Sequence, residues 1–374
     1  MTNIVLKEVK TNKDLRQFVD FPYTLYKNHP YWIPPIRMDE LGTLRLKNNP
    51  NLENNEIIML MAFKDGKIAG RIAGIINHGY IKKWGNKYAR FGWIDFIDDF
   101  EVAKALLNAI EDWAKSKGMS AVNGPMGFTD ADKEGMLIEG FEELGTMPMI
   151  YNYPYYPKYL DALGYQKDVD WVEFQIFPPK EIPEKILRVQ ELVLKRAKLH
   201  ILDYKKAKEL MPYAKQVFII LNEAYGHLYG TVDFTEKQIQ AYTKQYLSFC
   251  DPKWTTLILD EKNELVGFSI AMPSFSKALQ KNRGRMLPFG FLGMLSAMKK
   301  NDLLDLYLVA VKPQYKGLGL PAILMSEMTK NAITHGIKYA ESAGELESNI
   351  EVQSMWKSFE HRQHKRRRCY LKLL

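Results

Sequence analysis

Read for its apolar periodicity, the chain passes through one order of elements and then begins it again. In the first half, Ile4–Val9 reads as a strand and Asn12 as the cap of a helix running to about Tyr26. The prolines and Trp32 of His29–Pro35 break that helix. Two apolar runs, Glu56–Phe63 and Ile68–Ile76, are joined by Lys64-Asp-Gly-Lys67. Asp-Gly suits a tight primed turn, so the two runs are expected to form a hairpin. A strand over Ala89–Ile97, a helix over Phe100–Lys117 closed by Gly118, and a short strand at Met119–Val122 follow. A helix at Tyr156–Leu163 stopped by Gly164 and a strand at Trp171–Phe177 complete the half. The second half opens with a strand at His200–Tyr204, a helix over Ala207–Tyr225 and another over Phe234–Phe249. Trp254–Leu259 and Leu265–Met272 make a second hairpin, over Glu-Lys-Asn-Glu. A strand at Asp302–Val311, a helix at Leu320–His335, a strand at Lys338–Glu341, a helix at Glu351–Glu360 and a strand at Arg367–Leu373 close it.

Local likenesses support a duplication. Asp65-Gly-Lys-Ile-Ala-Gly70 stands opposite Asn263-Glu-Leu-Val-Gly267, and Ala114–Gly118 opposite Ala332–Gly336. With 374 residues the chain is too long for one comfortable core. Two tandem domains are expected, 1–180 and 195–374, divided where Pro178, Pro179 and Pro183 cluster.

Composition removes several classes. Apolar residues are 46% and charged residues 26%, an ordinary globular balance, so no long disordered stretch is expected. Cys250 and Cys369 are the two cysteines, and neither belongs to a Cys-x-x-Cys or Cys/His cluster. A disulfide framework and a metal site are therefore not expected, and a reducing cytoplasm is. The start, Met1-Thr-Asn-Ile-Val-Leu-Lys-Glu8, has no cationic leader before an apolar run, so no signal peptide is expected. No apolar run reaches the roughly 18 residues of a spanning helix; Met286–Met298 comes nearest and contains glycines. The formal charge of +8 fits a polyphosphate-bearing ligand, and equally a solvated lysine-rich surface.

The segment with the most chemical content is Leu306-Tyr-Leu-Val-Ala-Val-Lys-Pro-Gln-Tyr-Lys-Gly-Leu-Gly-Leu-Pro-Ala-Ile-Leu-Met325. A strand enters a turn with two glycines and leaves as a helix. Gly317 and Gly319 let the backbone approach a ligand, and the free amides and dipole of the helix start favour a phosphate. In order and spacing, Val311, Pro313, Tyr315, Lys316, Gly317 and Gly319 resemble the pyrophosphate motif of the GNAT acyltransferase family. Two positions depart from that pattern. Lys316 stands for the usual Arg or Gln, and Pro321 for the final Gly or Ala; a proline in the first helical turn is tolerated but removes one donor.

The resemblance covers residues 195–374 well. It implies an α/β (α+β) fold of two tandem GNAT-like domains, each a mixed, mostly antiparallel sheet flanked by helices. It also implies that acetyl-CoA or another acyl-CoA is bound by Val309, Val311, Lys316, Gly317, Leu318, Gly319 and Leu320. Backbone N–H groups around Val309–Val311 would face the thioester oxygen. Asn349 stands where the family keeps an Asn after the next strand, and Trp356 stands seven residues on, where a Tyr is frequent. Trp has an N–H donor but is no general acid at neutral pH, so Trp356 is expected to pack against the cofactor or the core. An ammonium acceptor needs a base; the family position six residues before Val311 is Asp305, with Glu341 and Glu345 as rivals.

The N-terminal half shares less of the pattern. Asn152, Tyr159 and Leu160-Asp-Ala-Leu-Gly164-Tyr165 resemble the family's closing helix and turn, but Ala89–Ile97 runs into Asp98-Asp99 with no glycine turn. Two carboxylates there would repel a pyrophosphate, so this half is expected to lack a cofactor loop. Asn123–Asp132 is rich in turn residues and reads as a turn or a functional loop. Ser274–Lys300 inserts an apolar, cation-flanked stretch that suits a packing helix, an apolar lid or a lipid-facing element. The basic run His361–Arg368 is expected to form a solvated edge or salt bridges, and no nucleic acid is expected.

The function expected is acyl transfer from coenzyme A to an amine of unidentified acceptor. The alternatives are a non-catalytic coenzyme-A-binding or scaffold protein, a transferase for longer acyl chains or a lipid-like acceptor, and a peptidyl-transferring relative using charged tRNA. A homo-oligomer is compatible with each.

Overall fold

The computed structural model describes residues 3–129, 132–246 and 250–374. In chain order the first elements are β1 (Ile4–Glu8), α1 (Asn12–Leu25), α2 (Arg37–Thr43), β2 (Asn55–Lys64), β3 (Lys67–Asn77), α3 (His78–Trp84) and β4 (Tyr88–Phe96). They continue as α4 (Phe100–Ser116), β5 (Ala121–Gly124), β6 (Met136–Glu139), α5 (Tyr155–Ala162), β7 (Gln166–Phe177), α6 (Glu184–Ala197), β8 (His200–Ile201), α7 (Ala214–Tyr225) and α8 (Glu236–Tyr246). The remainder are β9 (Thr255–Leu259), β10 (Leu265–Pro273), α9 (Ser276–Asn282), α10 (Gly290–Lys299), β11 (Leu303–Val311), α11 (Leu320–Thr334), β12 (Tyr339–Ser342), β13 (Glu345–Leu346), α12 (Ile350–Trp356) and β14 (Glu360–Leu373). The chain forms two compact units. One is Met1–Val172 with Phe275–Ala297 and His364–Leu374; the other is Glu173–Ser274 with Met298–Gln363.

In the first unit β1, β2, β3 and β4 form an antiparallel ladder, and β4 pairs parallel with β5. The unit is completed by β14, whose Tyr370 and Leu373 lie opposite Gly124 and Ala121. Asp65 and Gly66 both take positive φ, 51° and 77°, as the primed turn between β2 and β3 requires. Alternation then separates the faces. Leu60 and Ala62 join the core with Leu106 and Ile110 of α4, whereas Met59 and Met61 join Phe18 and Val19 of α1. Burial on both faces is why these strands read as continuous apolar runs.

The second unit repeats the plan: β8, β9, β10 and β11 are antiparallel, and β11 pairs parallel with β12. It is completed by the end of β7, where Gln175 and Ile176 lie opposite Glu341 and Ala340. Ile220 and Leu221 of α7 cover one face with Phe268 and Ala310; Leu320, Ile323 and Leu324 of α11 cover the other with Ile258 and Val311. The architecture is thus α/β with mixed, mostly antiparallel pairing.

Several boundaries differ from the sequence reading for local reasons. Thr11, not Asn12, caps α1, because Thr11 and Asp14 form a reciprocal capping box. The helix expected over Ala207–Tyr225 is a 3₁₀ stretch, Ala207–Tyr213, followed by α7, with Pro212 at the change. The helix expected from Glu351 ends at Trp356, and Glu360 already belongs to β14. Of the helix expected over Phe234–Phe249, residues Glu236–Tyr246 are helical, and 247–249 lie outside the described residues. The basic run sits in β14: Arg366 and Arg368 both pair with the buried Asp170.

Candidate active site

The second unit carries the glycine turn. After β11, Pro313–Tyr315 makes one 3₁₀ turn and Lys316 returns to an extended conformation. Gly317 follows at φ 86° and Gly319 at φ 74°, where a β-carbon would be strained. A β-carbon added at either glycine would meet nothing within 4 Å, so the turn opens onto free space. Gly319 is the cap of α11 and supplies no side-chain acceptor to it. Pro321 lies in the first helical turn and donates nothing. The amides of Lys316 and Leu318 are turned back onto the carbonyls of Pro313 and Tyr315. Gly317, Gly319 and Leu320 supply the remaining amides at the mouth of a helix spanning Leu320–Thr334, with its positive dipole end there. Lys316 adds an exposed cation whose Nζ is 4.0 Å from Glu351. Uncapped amides, a helix dipole, a lysine and open space fit a phosphate or pyrophosphate group.

The equivalent place in the first unit is closed. Asp99 caps α4 by accepting from the amides of Glu101 and Val102, and pairs with Lys64. Asp98 accepts the Tyr159 hydroxyl at 2.6 Å. The hydroxyls of Tyr155 and Tyr156 bind the backbone of Phe96 at 2.7 and 2.9 Å. A helix start whose Glu101 and Val102 amides already hold a carboxylate has little left to offer another anion, and negative charge there would repel it.

The parallel strands behave alike. β4 pairs with β5 only as far as Arg90 opposite Asn123, and β11 with β12 only as far as Leu306 opposite Ser342. Beyond those points β4 and β11 continue without them. Each carries a bulge: β4 around Trp93, at φ 44°, and β11 at Tyr307, between Leu306 and Leu308, which lie opposite Ala271 and Ile270. In the first unit the loop that follows β5 fills the gap. Met126 donates to the Phe91 carbonyl at 2.9 Å, and a β-carbon on Gly92 would stand 2.3 Å from the Met126 oxygen. Residues 123–129 of the turn-rich stretch are therefore a packed strand neighbour; Asp130 and Ala131 lie outside the described residues.

In the second unit the residues past β12 bring a carboxyl toward the bulged part of β11. Ala343 donates to the Leu306 carbonyl, and two residues later Glu345 begins β13. Glu345 Oε1 accepts the Trp356 indole N–H at 2.8 Å, and Oε2 has no hydrogen-bond partner among the described residues. Burial lifts its pKa from the ordinary 4.5 to about 7, against the pull of the Trp356 hydrogen bond and the nearby Ser342 hydroxyl. The Tyr225 hydroxyl donates to the Val309 carbonyl. Burial pushes that phenol up to about 12, with the Glu345 charge adding to the rise, so it serves as a fixed donor rather than an acid near neutrality.

The other sequence candidates fall into place around this pair. Asp305 and Glu341 lie opposite each other on β11 and β12 and are 3% and 6% exposed. Glu341 accepts from Gln175 at 3.2 Å, and Gln175 accepts from Arg362 at 2.7 Å. Both carboxylates sit toward the start of β11, several residues from the glycine turn. Asn349 caps α12 by accepting from Val352 at 3.4 Å, and Trp356 is buried with its N–H on Glu345. Val311 packs in the core against Leu320 and Ile323; Val309 lies just past the bulge and lends its carbonyl to Tyr225. Tyr225 was not marked by the sequence, where it only ends a helix before Gly226. Glu345 carried a faint signal, a carboxylate after a strand in Ala343-Gly-Glu345.

No protein-family model matches the chain. It is 27% identical to protein YghO of Escherichia coli (strain K12), over the whole chain and 97% of that protein. It is 26% identical to the bacterial ceramide synthase of Caulobacter vibrioides (strain NA1000 / CB15N), over 98% of the chain and 96% of that protein. Among solved structures, it resembles a tandem GNAT protein from the clavulanic acid biosynthesis pathway with a TM-score of 0.56 and 11% identity, covering 99% of this chain and 98% of that one. A GCN5-related N-acetyltransferase from Sphaerobacter thermophilus gives a TM-score of 0.52 and 11% identity, over 99% and 95% of the two chains. With two strand–turn–helix units, one open at its glycine turn and one closed, the chain has the tandem GNAT-like fold.

Proposed function

We propose that the protein is an acyl-CoA-dependent N-acyltransferase whose reaction centre lies in the second unit, Glu173–Ser274 with Met298–Gln363, rather than in a continuous domain 195–374. The observation that carries this reading is the pairing of an uncapped, open helix start at Gly317–Leu320 with a carboxyl near neutrality at Glu345. Lys316 and the amides of Gly317, Gly319 and Leu320 hold the pyrophosphate. The bound thioester supplies an activated acyl carbon. Glu345, fixed through one oxygen by Trp356, uses the other to take a proton from the acceptor ammonium. The N–C bond then forms as the C–S bond breaks; of the two protons the nitrogen loses, one leaves with the thiol and the other passes from Glu345 to solvent. Tyr225 holds the Val309 carbonyl and so fixes the backbone past the bulge. Asp305 and Glu341 are assigned to strand structure rather than to proton transfer.

A longer acyl chain or a lipid-like acceptor is the favoured specificity within this reading. Its support is the similarity over nearly the whole chain to a protein named a bacterial ceramide synthase. Calorimetry with acetyl-CoA and a long-chain acyl-CoA tests the site, using wild type and Gly317→Glu. Binding that weakens more than about 100-fold in a folded variant supports it, since the substitution puts a carboxylate at the phosphate and a side chain at φ 86°. Equal binding by both proteins, or none by either, refutes it.

A further inference from the structure

We propose that the segment from α9 through α10 seats the protein on an anionic lipid bilayer surface. This goes beyond the acyltransferase reading and does not depend on it. Between Ser274 and Asn301 the sequence has no aspartate or glutamate, while Lys277, Lys281, Arg283, Arg285, Lys299 and Lys300 are all exposed. Among these cations the chain turns large apolar groups outward. Leu287 is 67% and Phe289 72% exposed, and Phe291, Leu292 and Leu295 follow on α10. Leu292, Leu295 and Lys299 share one face of that helix by spacing, while Met294 is buried on the other. Apolar and aromatic tips ringed by lysine and arginine are the composition of an element that lies in a membrane interface. At ten residues α10 is about 15 Å long, half the hydrocarbon thickness, so it fits lying on a bilayer and not crossing one.

The exposure is built into the fold. Asn282 donates to the Gly290 carbonyl at 2.6 Å, and a β-carbon on Gly290 would stand 1.7 Å from the Arg285 oxygen. The turn between the helices is thus clamped, with Leu287 and Phe289 at its tip. The turn is also tied to the rest of its unit. Gly284 accepts from Arg37 at 3.0 Å, Gln280 donates to Pro30 at 2.8 Å, and Ser276 donates to Gly145 at 3.0 Å. Charge selects the occupant. A second copy would bring two sets of like cations together across a twofold, which opposes pairing. An anionic headgroup layer meets the cations and the apolar tips at once.

The test is co-sedimentation of the full chain with vesicles of phosphatidylcholine containing about one quarter phosphatidylglycerol, against pure phosphatidylcholine. Each cation near such a surface is worth roughly fivefold in partitioning, so K281Q/R285Q should bind about 25-fold more weakly. L287S/F289S should lose binding too, and roughly 0.5 M salt should weaken the wild type. All four positions are exposed, and circular dichroism checks that the variants stay folded. Equal binding to both vesicles, no binding, or variants that bind like wild type would overturn the proposal. So would a dimer in solution that L287S/F289S dissociates while vesicles capture nothing.

Discussion

Replacing Glu345 by glutamine separates its chemistry from its packing. The amide oxygen can still accept the Trp356 indole N–H, so the side chain keeps its anchor. What disappears is the ionisable oxygen. If Glu345 is the base, kcat falls by about 10²–10⁴-fold, the usual size of a general-base contribution. The rate of the wild type should rise with pH through an apparent pKa near 7, and the variant should lose that limb. Stability supplies a second reading of the same group. Its folded pKa is raised above the unfolded value, so between about 4.5 and 7 the folded state holds a proton that the unfolded chain has released. Stability is therefore greatest below that window and is lost as pH rises through it, by about 3 kcal/mol at most. Denaturant unfolding below about pH 5 and above about pH 8 should show that loss in wild type and a smaller one in E345Q. A variant with unchanged kcat and an unchanged pH dependence of stability would refute the assignment of Glu345.

Two further outcomes follow from neighbouring contacts. Trp356→Phe removes the donor that holds the Glu345 pKa down, so the rate limb should move to higher pH; a limb that stays in place would detach Trp356 from the base. Asp99→Ala should cost the first unit about 1 kcal/mol through the lost helix cap and leave acyl-CoA binding untouched, as titration calorimetry and thermal unfolding would report; weakened acyl-CoA binding would contradict the closed state of that site.

Much of this plan is readable from the residues because local chemistry specified it. Asp65-Gly66 fixed a hairpin through its positive φ pair, and Gly317 and Gly319 fixed an open turn through theirs. Asp98 and Asp99 signalled a helix start unfavourable to an anion; the sequence shows the repulsion, and the structure adds that Asp99 itself takes the Glu101 and Val102 amides. The groups proposed for proton transfer were harder to read. The value of Glu345 comes from its burial and from Trp356, eleven positions away, while Tyr225 reaches Val309 across 84 positions. Asp305 fits a family position, yet strand pairing puts it beside Glu341 inside the sheet. No window of adjacent residues encodes such meetings.

The way each unit is finished has a consequence for synthesis. The first unit needs His364–Leu374 as a strand beside β5, so most of it emerges from the ribosome long before its sheet can close. Until then the edge of β5 offers unpaired backbone groups, the kind of edge that recruits stray strands. The second unit, by contrast, receives its β7 contribution before any of its other strands exist. A nascent chain of this protein therefore holds the β7 part of its second unit from the start, while its first unit stays ajar until Leu373 is in place opposite Ala121. Loss of His364–Leu374 alone would spare the glycine turn and leave the unit made first as the unfinished one.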